Sequence, residues 1–185
     1  MRATLIAHPT TPCPFIESFE VVVQRNDPRG LVIGYVITGD IDKISIPPKR
    51  PAARVDRLWE HTCFEIFLRA RGARSYIELN FSPSTEWAAY RFDDHRAGVK
   101  ELSMPNAPQI FHDEGTAHVM DLEVALELKA LRVFADSDIQ LGASAVIEDR
   151  DARKYYWALR HPPGKPDFHH SDSFALTLPN AGART

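Results

Sequence analysis

An antiparallel β-sandwich is the fold class predicted for this chain of 185 residues, all-β in content, and three observations predict it. Short segments along its whole length alternate apolar and polar residues with a period of two, the pattern of a half-buried strand. Turn chemistry separates them, as in NDPRG and SPST. Helical periodicity is weak: the best candidate, EVALELKAL, alternates better than it repeats at helical spacing. Many short strands at turn-separated intervals bury their apolar faces by packing two sheets together.

The elements follow in order. FEVVVQR (19–25) and GLVIGYVITGDI (30–41) form a hairpin about NDPRG. ISIPPKRPAARV (44–55) is too rich in proline to pair regularly and serves as a connector. LWEHTCFEIFLR (58–69), SYIELNF (75–81) and EWAAYRF (86–92) form a three-stranded meander, joined by RARGAR and SPST. VMDLEVALEL (119–128), DIQLGASAVIED (138–149), YYWALRH (155–161) and FALTLP (174–179) supply the remaining strands. No internal repeat or low-complexity segment interrupts them, and one domain spanning 1–185 is expected.

The meander carries the functional signal. With a period of two, the segment 58–69 sets Trp59, His61, Cys63, Glu65 and Phe67 on one face against Glu60, Thr62, Phe64, Ile66 and Leu68 on the other. SYIELNF likewise opposes Tyr76, Glu78 and Asn80 to Ile77, Leu79 and Phe81. A turn centred on Arg71 and Gly72 pairs Glu65 with Glu78, Cys63 with Asn80 and Phe67 with Tyr76. A second turn centred on Pro83 and Ser84 pairs Asn80 with Trp87, Glu78 with Ala89 and Tyr76 with Arg91. One face then displays Trp59, Glu65, Glu78, Asn80, Trp87 and Arg91, with small Ala89 and Cys63 leaving room. Two facing carboxylates need a cation, a shared proton or a ligand between them, and Arg91, or Arg96 from DDHR, is the expected cation. Carboxylates, an amide and a guanidinium under indole walls suit a small sugar. The alternative is a partly solvated face whose Glu and Arg form a structural ion pair.

Composition narrows the partners. With 44% apolar and 25% charged residues the chain is ordinary globular material, and a net charge of −3 with pI near 6.2 argues against nucleic-acid binding. No run reaches membrane-spanning length, and MRATLIAHPTTPCPF lacks a signal-peptide core. Cys13 and Cys63 are the only cysteines, so a reduced, cytoplasmic setting is expected, the alternative being a single bridge between them.

Other chemistry is less well supported. HPPGKPDFHH (161–170) gathers His161, Asp167, His169 and His170, but adjacent His169 and His170 diverge in an extended segment, so no metal site is expected. Glu65 and Glu78 as a glycosidase pair would rise side by side from one sheet instead of flanking a bond, which ranks hydrolysis third. Cys63 and His61 stand nearly 7 Å apart by strand rise, and Ser82 lacks the nucleophile elbow. No catalytic residue is assigned. The oligomeric state is left open.

LWEHTCFEIFLR, ELNFSPSTEWAAYRFDDHR and YWALRHPPGKPDFHHSDSF together resemble the DOMON-like and family 9 carbohydrate-binding-module superfamily, above all its stand-alone bacterial DOMON-like proteins. The resemblance implies a jelly-roll-like sandwich with a ligand site on a concave sheet face. It also implies aromatic walls at Trp59 and Trp157, a hydroxyl-binding carboxylate at Glu65 and an amide at Asn80. The chain departs from it at Glu78, where sugar-binding relatives carry a basic residue. The expected role is non-catalytic binding of a small carbohydrate or similar polyhydroxylated ligand, without a cofactor. A haem-binding domain of the same fold is the alternative, with Met104, Met120 and His161 as candidate axial ligands.

Overall fold

The computed structural model describes residues 1–27, 30–127 and 138–179. Thirteen strands follow one another along these residues: β1 (Arg2–Thr4), β2 (Ile6–Ala7), β3 (Ile16–Asp27), β4 (Gly30–Gly39), β5 (Cys63–Ala70), β6 (Tyr76–Phe81), β7 (Trp87–Phe92), β8 (Lys100–Glu101), β9 (Gln109–Thr116), β10 (Val119–Glu127), β11 (Ile139–Glu148), β12 (Lys154–Ala158) and β13 (Leu176–Leu178). Pro28 and Arg29 of the first turn, Leu128 and the end of EVALELKAL lie outside the described residues. Among the described residues no helix is long and apolar enough to cross a membrane.

The strands form the two packed antiparallel sheets that the sequence predicts. The smaller runs β1-β3-β4-β10-β9, and the larger runs β2-β12-β11-β5-β6-β7-β8, with β13 paired to β11. Between them Phe19, Val21, Leu31, Ile33, Ile37 and Val124 meet Phe64, Ile66, Leu68, Leu79 and Leu141. Each such side chain contributes about 1.5–3 kcal/mol by leaving water. The Tyr35 hydroxyl crosses this core and donates to the Glu65 carbonyl at 2.7 Å, so a buried polar group is satisfied and the two sheets are tied at β5.

The larger sheet is covered on its outer face too. Cys63, Phe67, Tyr76, Ala88, Tyr90, Phe92 and Val146 form a second apolar cluster there with Leu58, Phe168 and Phe174 from the loops. This explains why every residue of β6 is buried although its sequence alternates. The site lies on this outer face.

Both hairpin registers differ from the predicted ones. In the first, Glu65 faces Asn80, and Phe67 faces Glu78. The turn itself sits as expected, with the Ala73 N–H bonded to the Ala70 carbonyl at 2.9 Å and Gly72 at φ 82°. The chain then runs on to Tyr76 before pairing resumes, which slides every partner by two residues. A slip of two preserves the faces, so Glu65 and Glu78 still share one side.

The second slip is by one residue and has the larger consequence. Phe81 pairs with Trp87 across the three-residue connection Pro83–Thr85. Thr85 adopts the left-handed φ of 75°, the bulge residue of a three-residue hairpin. Pairing therefore centres on Ser84, and every side chain of β7 changes face relative to expectation. Glu78 faces Tyr90 and Asn80 faces Ala88, whereas Trp87, Ala89 and Arg91 belong to the other side.

Candidate functional site

A recess of about 560 Å³ opens on the outer face of the larger sheet, within the range of small-molecule sites. Its floor is acidic. Glu65 on β5 is 3% exposed and Glu78 on β6 is 5% exposed, with fully buried Asn80 directly opposite Glu65. The Asn80 amide donates to Glu78 Oε1 at 2.8 Å, and Ser144 on β11 donates to Glu65 Oε2 at a long 3.4 Å. Asn80 Oδ1 has no partner. Ala88 on β7, fully buried, pairs with Asn80.

Aromatic side chains make the walls. Trp59, 39% exposed, projects from a single 3-10 turn, Leu58–Glu60, and meets the Tyr90 ring edge-on with centroids 6.0 Å apart. Tyr90 is braced from behind, because its hydroxyl donates to Asp56 at 2.6 Å and the Arg54 guanidinium lies 5.4 Å from its ring centroid. Phe92, Tyr156 and Phe168 complete the wall.

The loop after β12 closes one side. Asp167 Oδ1 accepts from Arg96 Nε and Nη2 at 3.1 and 2.9 Å, and Asp167 Oδ2 lies 2.9 Å from His95 Nε2. These bonds clamp the 93–96 turn to the 162–170 loop across the rim. The Tyr76 hydroxyl accepts the Arg96 backbone N–H at 3.1 Å and lies 2.8 Å from His169 Nδ1. When that hydroxyl donates its own proton to Nδ1, the neutral imidazole carries its hydrogen on Nε2. Nε2 lies 3.7 Å from Glu78 Oε2.

Desolvation sets the ionisation of these groups. Burial, then the charge of Glu78, pushes Glu65 well above the usual carboxylate range, against the Ser144 hydroxyl and the Arg96 charge. Burial lifts Glu78 to about 7, against the Asn80 amide and Arg96. Burial and mutual repulsion thus favour a proton held between the two carboxyls over a doubly ionised pair. Burial, helped by Arg96, holds His169 down at about 3, so it is uncharged near neutrality. Burial pushes the Tyr76 phenol up to about 12.

The structure brings together Trp59, Glu65, Glu78 and Asn80 and separates the other three predicted residues from them. Trp87, 8% exposed, belongs to the inter-sheet core because of the one-residue register change. Arg91 is exposed on the same side as Trp87, and Arg96 takes the place predicted for a cation near the carboxylates. Trp157 is 6% exposed and packs against Phe19 at 5.5 Å between the sheets, because its neighbour Tyr156 takes the recess side of β12. Trp59 stands on a turn, not in the expected strand. Cys13 and Cys63 are both free thiols.

Sequence reasoning missed Tyr90, Phe92, Tyr156, Phe168, His169 and Ser144. An odd-length turn at SPST is the one signal that exposes Tyr90 and Phe92; Phe168 and His169 arrive from a loop whose path no local pattern encodes. The histidines of that loop go separate ways: His161 Nε2 lies 2.9 Å from the Ile6 carbonyl, and His170 accepts the Asp172 N–H. Among the described residues no three His, Cys, Asp or Glu side chains form a metal-binding group. Met120 lies in the inter-sheet core and Met104 packs against it; neither lines the recess, and nor does His161, so these residues do not fit a haem bound there.

No protein-family model matches the chain, and no curated protein matches it. Among solved structures, a Bacteroides uniformis protein provisionally described as carbohydrate-binding is similar with a TM-score of 0.70 at 9% identity, over 94% of this chain and 83% of that one. Two family 9 carbohydrate-binding modules from Caldicellulosiruptor kristjanssonii, solved with cellotriose and with glucose, give TM-scores of 0.46 and 0.43. Their identities are 10% and 12%, over 80% of this chain and 67% and 69% of theirs. The first likeness shows that the sandwich fold is shared.

Proposed function

We propose that the chain is a non-catalytic binding domain that takes a small polyhydroxylated ligand, a carbohydrate by chemistry, in the outer-face recess. The observation that carries this reading is the buried Glu65 and Glu78 floor, with Asn80 bonded to Glu78, beneath an exposed indole. Burying acceptors without partners costs free energy, and a ligand rich in O–H donors recovers it on binding. Trp59 offers a flat apolar surface for the C–H face of a pyranose ring. The carbohydrate-binding description of the Bacteroides uniformis neighbour is in keeping with this reading. Binding fits better than hydrolysis, because both carboxylates rise from one sheet and would meet a ligand from the same side.

The test is isothermal titration of the full chain with a panel of neutral and amino monosaccharides. A saturable heat that Trp59→Ala weakens and Arg91→Ala leaves unchanged supports the reading. Binding indifferent to Trp59, or no binding across the panel, contradicts it.

A further inference from the structure

The floor of the recess is short of donors. Glu65 and Glu78 together offer four carboxyl oxygens to the recess, while the donors aimed at them are the Asn80 amide, the Ser144 hydroxyl, the proton that burial holds on the pair and His169 Nε2, the last too far for a hydrogen bond. Positive charge is short as well. The Arg96 guanidinium is bonded twice to Asp167, and Arg57 pairs with Glu60 at the rim. Lys154, on the same face of β12 as Tyr156, is the remaining cation of the lining, and it forms no ion pair with Glu65 or Glu78.

We propose that the ligand carries a protonated amine, an amino sugar within the polyhydroxylated class, with its ammonium seated over Glu65 and Glu78. This rests on the recess being the ligand site. An ammonium presents three donors and no acceptor, which answers both shortages at once. The surrounding aromatic faces of Trp59, Tyr90, Phe92 and Tyr156 also favour a cation through their π-clouds. A neutral hydroxyl does not answer the charge; with a neutral sugar the carboxyls keep their protons and act partly as donors themselves. A metal ion answers the charge but gains nothing from an aromatic wall.

The consequence is proton linkage. The groups facing the pair are Cys63 on its own strand, Tyr76 and Asn80 on β6, Tyr90 on β7, Ser144 on β11, Lys154 on β12, and Glu60, His169 and Arg96 from the turns and loops. Cys63, Tyr76 and Tyr90 are held protonated by burial and His169 is neutral, which leaves the raised carboxyls of Glu65 and Glu78, the latter lifted to about 7, as the groups an ammonium can ionise. Ammonium binding ionises them and expels protons.

The experiment titrates the full chain, in EDTA, with glucosamine, galactosamine and mannosamine, each beside its neutral and N-acetylated counterpart. We expect one amino sugar to bind about tenfold more tightly than both of its uncharged counterparts. Its affinity should rise from about pH 5.5 to about pH 7 and fall again as the amine loses its proton above about pH 8. The heat should change with the ionisation enthalpy of the buffer, reporting proton release. Glu78→Gln, checked for an intact melting transition, should remove the amine preference while leaving neutral-sugar binding measurable. Equal or tighter binding of the uncharged sugars overturns the amine proposal and leaves the polyhydroxyl reading standing. No binding by any sugar overturns both.

Discussion

Because burial lifts Glu78 from an ordinary value of 4.5 to about 7, the folded chain holds a proton there that the unfolded chain gives up at lower pH. Ionisation therefore works against folding across that window, and Glu78→Gln escapes it. The variant should gain stability over the parent from about pH 4.5 to about pH 7 and then level off, by roughly 3 kcal/mol in all. His169 acts in the opposite sense: its depressed value disfavours the fold as pH falls below the ordinary imidazole range. The difference between parent and variant in urea unfolding at several pH values reports the Glu65 and Glu78 pair, and a difference that does not change with pH would refute the assignment. Trp59 makes a complementary case. With 39% of its surface exposed, Trp59→Ala should leave the melting temperature nearly unchanged yet weaken ligand binding by about 1 to 2 kcal/mol. A large loss of stability with unchanged affinity would make Trp59 a packing residue.

At the scale of elements, the turns decide the site. Alternation in CFEIF and YIELNF correctly places Glu65, Glu78 and Asn80 on one face, because a slip of two residues does not alter which side a residue takes. The same reasoning fails for WAAYRF. SPST reads as an even turn, and nothing in Thr85 announces a left-handed residue, where glycine or asparagine is the usual signal. One unpaired residue exchanges Trp87 and Arg91 for Tyr90 and Phe92. The aromatic wall that the resemblance implies at Trp157 falls instead to its neighbour Tyr156, because Trp157 takes the inter-sheet face of β12. The loops that close the recess are open to test. A Cβ at Gly142 would come within 2.9 Å of the Ser173 carbonyl oxygen. Gly142→Ala should therefore displace the 171–173 turn and cost about 1 to 3 kcal/mol by overpacking; a neutral effect on urea unfolding would show that the turn yields freely. Asp167→Ala should free the 93–96 turn from the 162–170 loop. Faster amide hydrogen exchange in both segments, with β5 and β6 unchanged, is the expected result, and unchanged exchange would show that the clamp is dispensable.

For the molecule as a whole, the two-sheet sandwich was legible because its commonest signal, alternation broken by turns, repeats in almost every segment. The place of the candidate recess was legible for a different reason: carboxylates in the middle of buried strands are rare without a partner or a task, and Glu65 and Glu78 both line it. What no local pattern carried was the second covering of the larger sheet, by Leu58, Phe168 and Phe174, which turns an outer face into a walled recess. A second hollow of about 630 Å³, lined by Pro47, Arg57 and Glu86, offers a ligand another place to sit. The most direct test of the site is therefore a crystal structure of the chain with the tightest-binding sugar of the panel. The account predicts a pyranose ring against Trp59 with a donor within hydrogen-bond distance of Glu65 or Glu78. A sugar bound beside Pro47 and Glu86, with the Glu65 and Glu78 floor untouched, would contradict it.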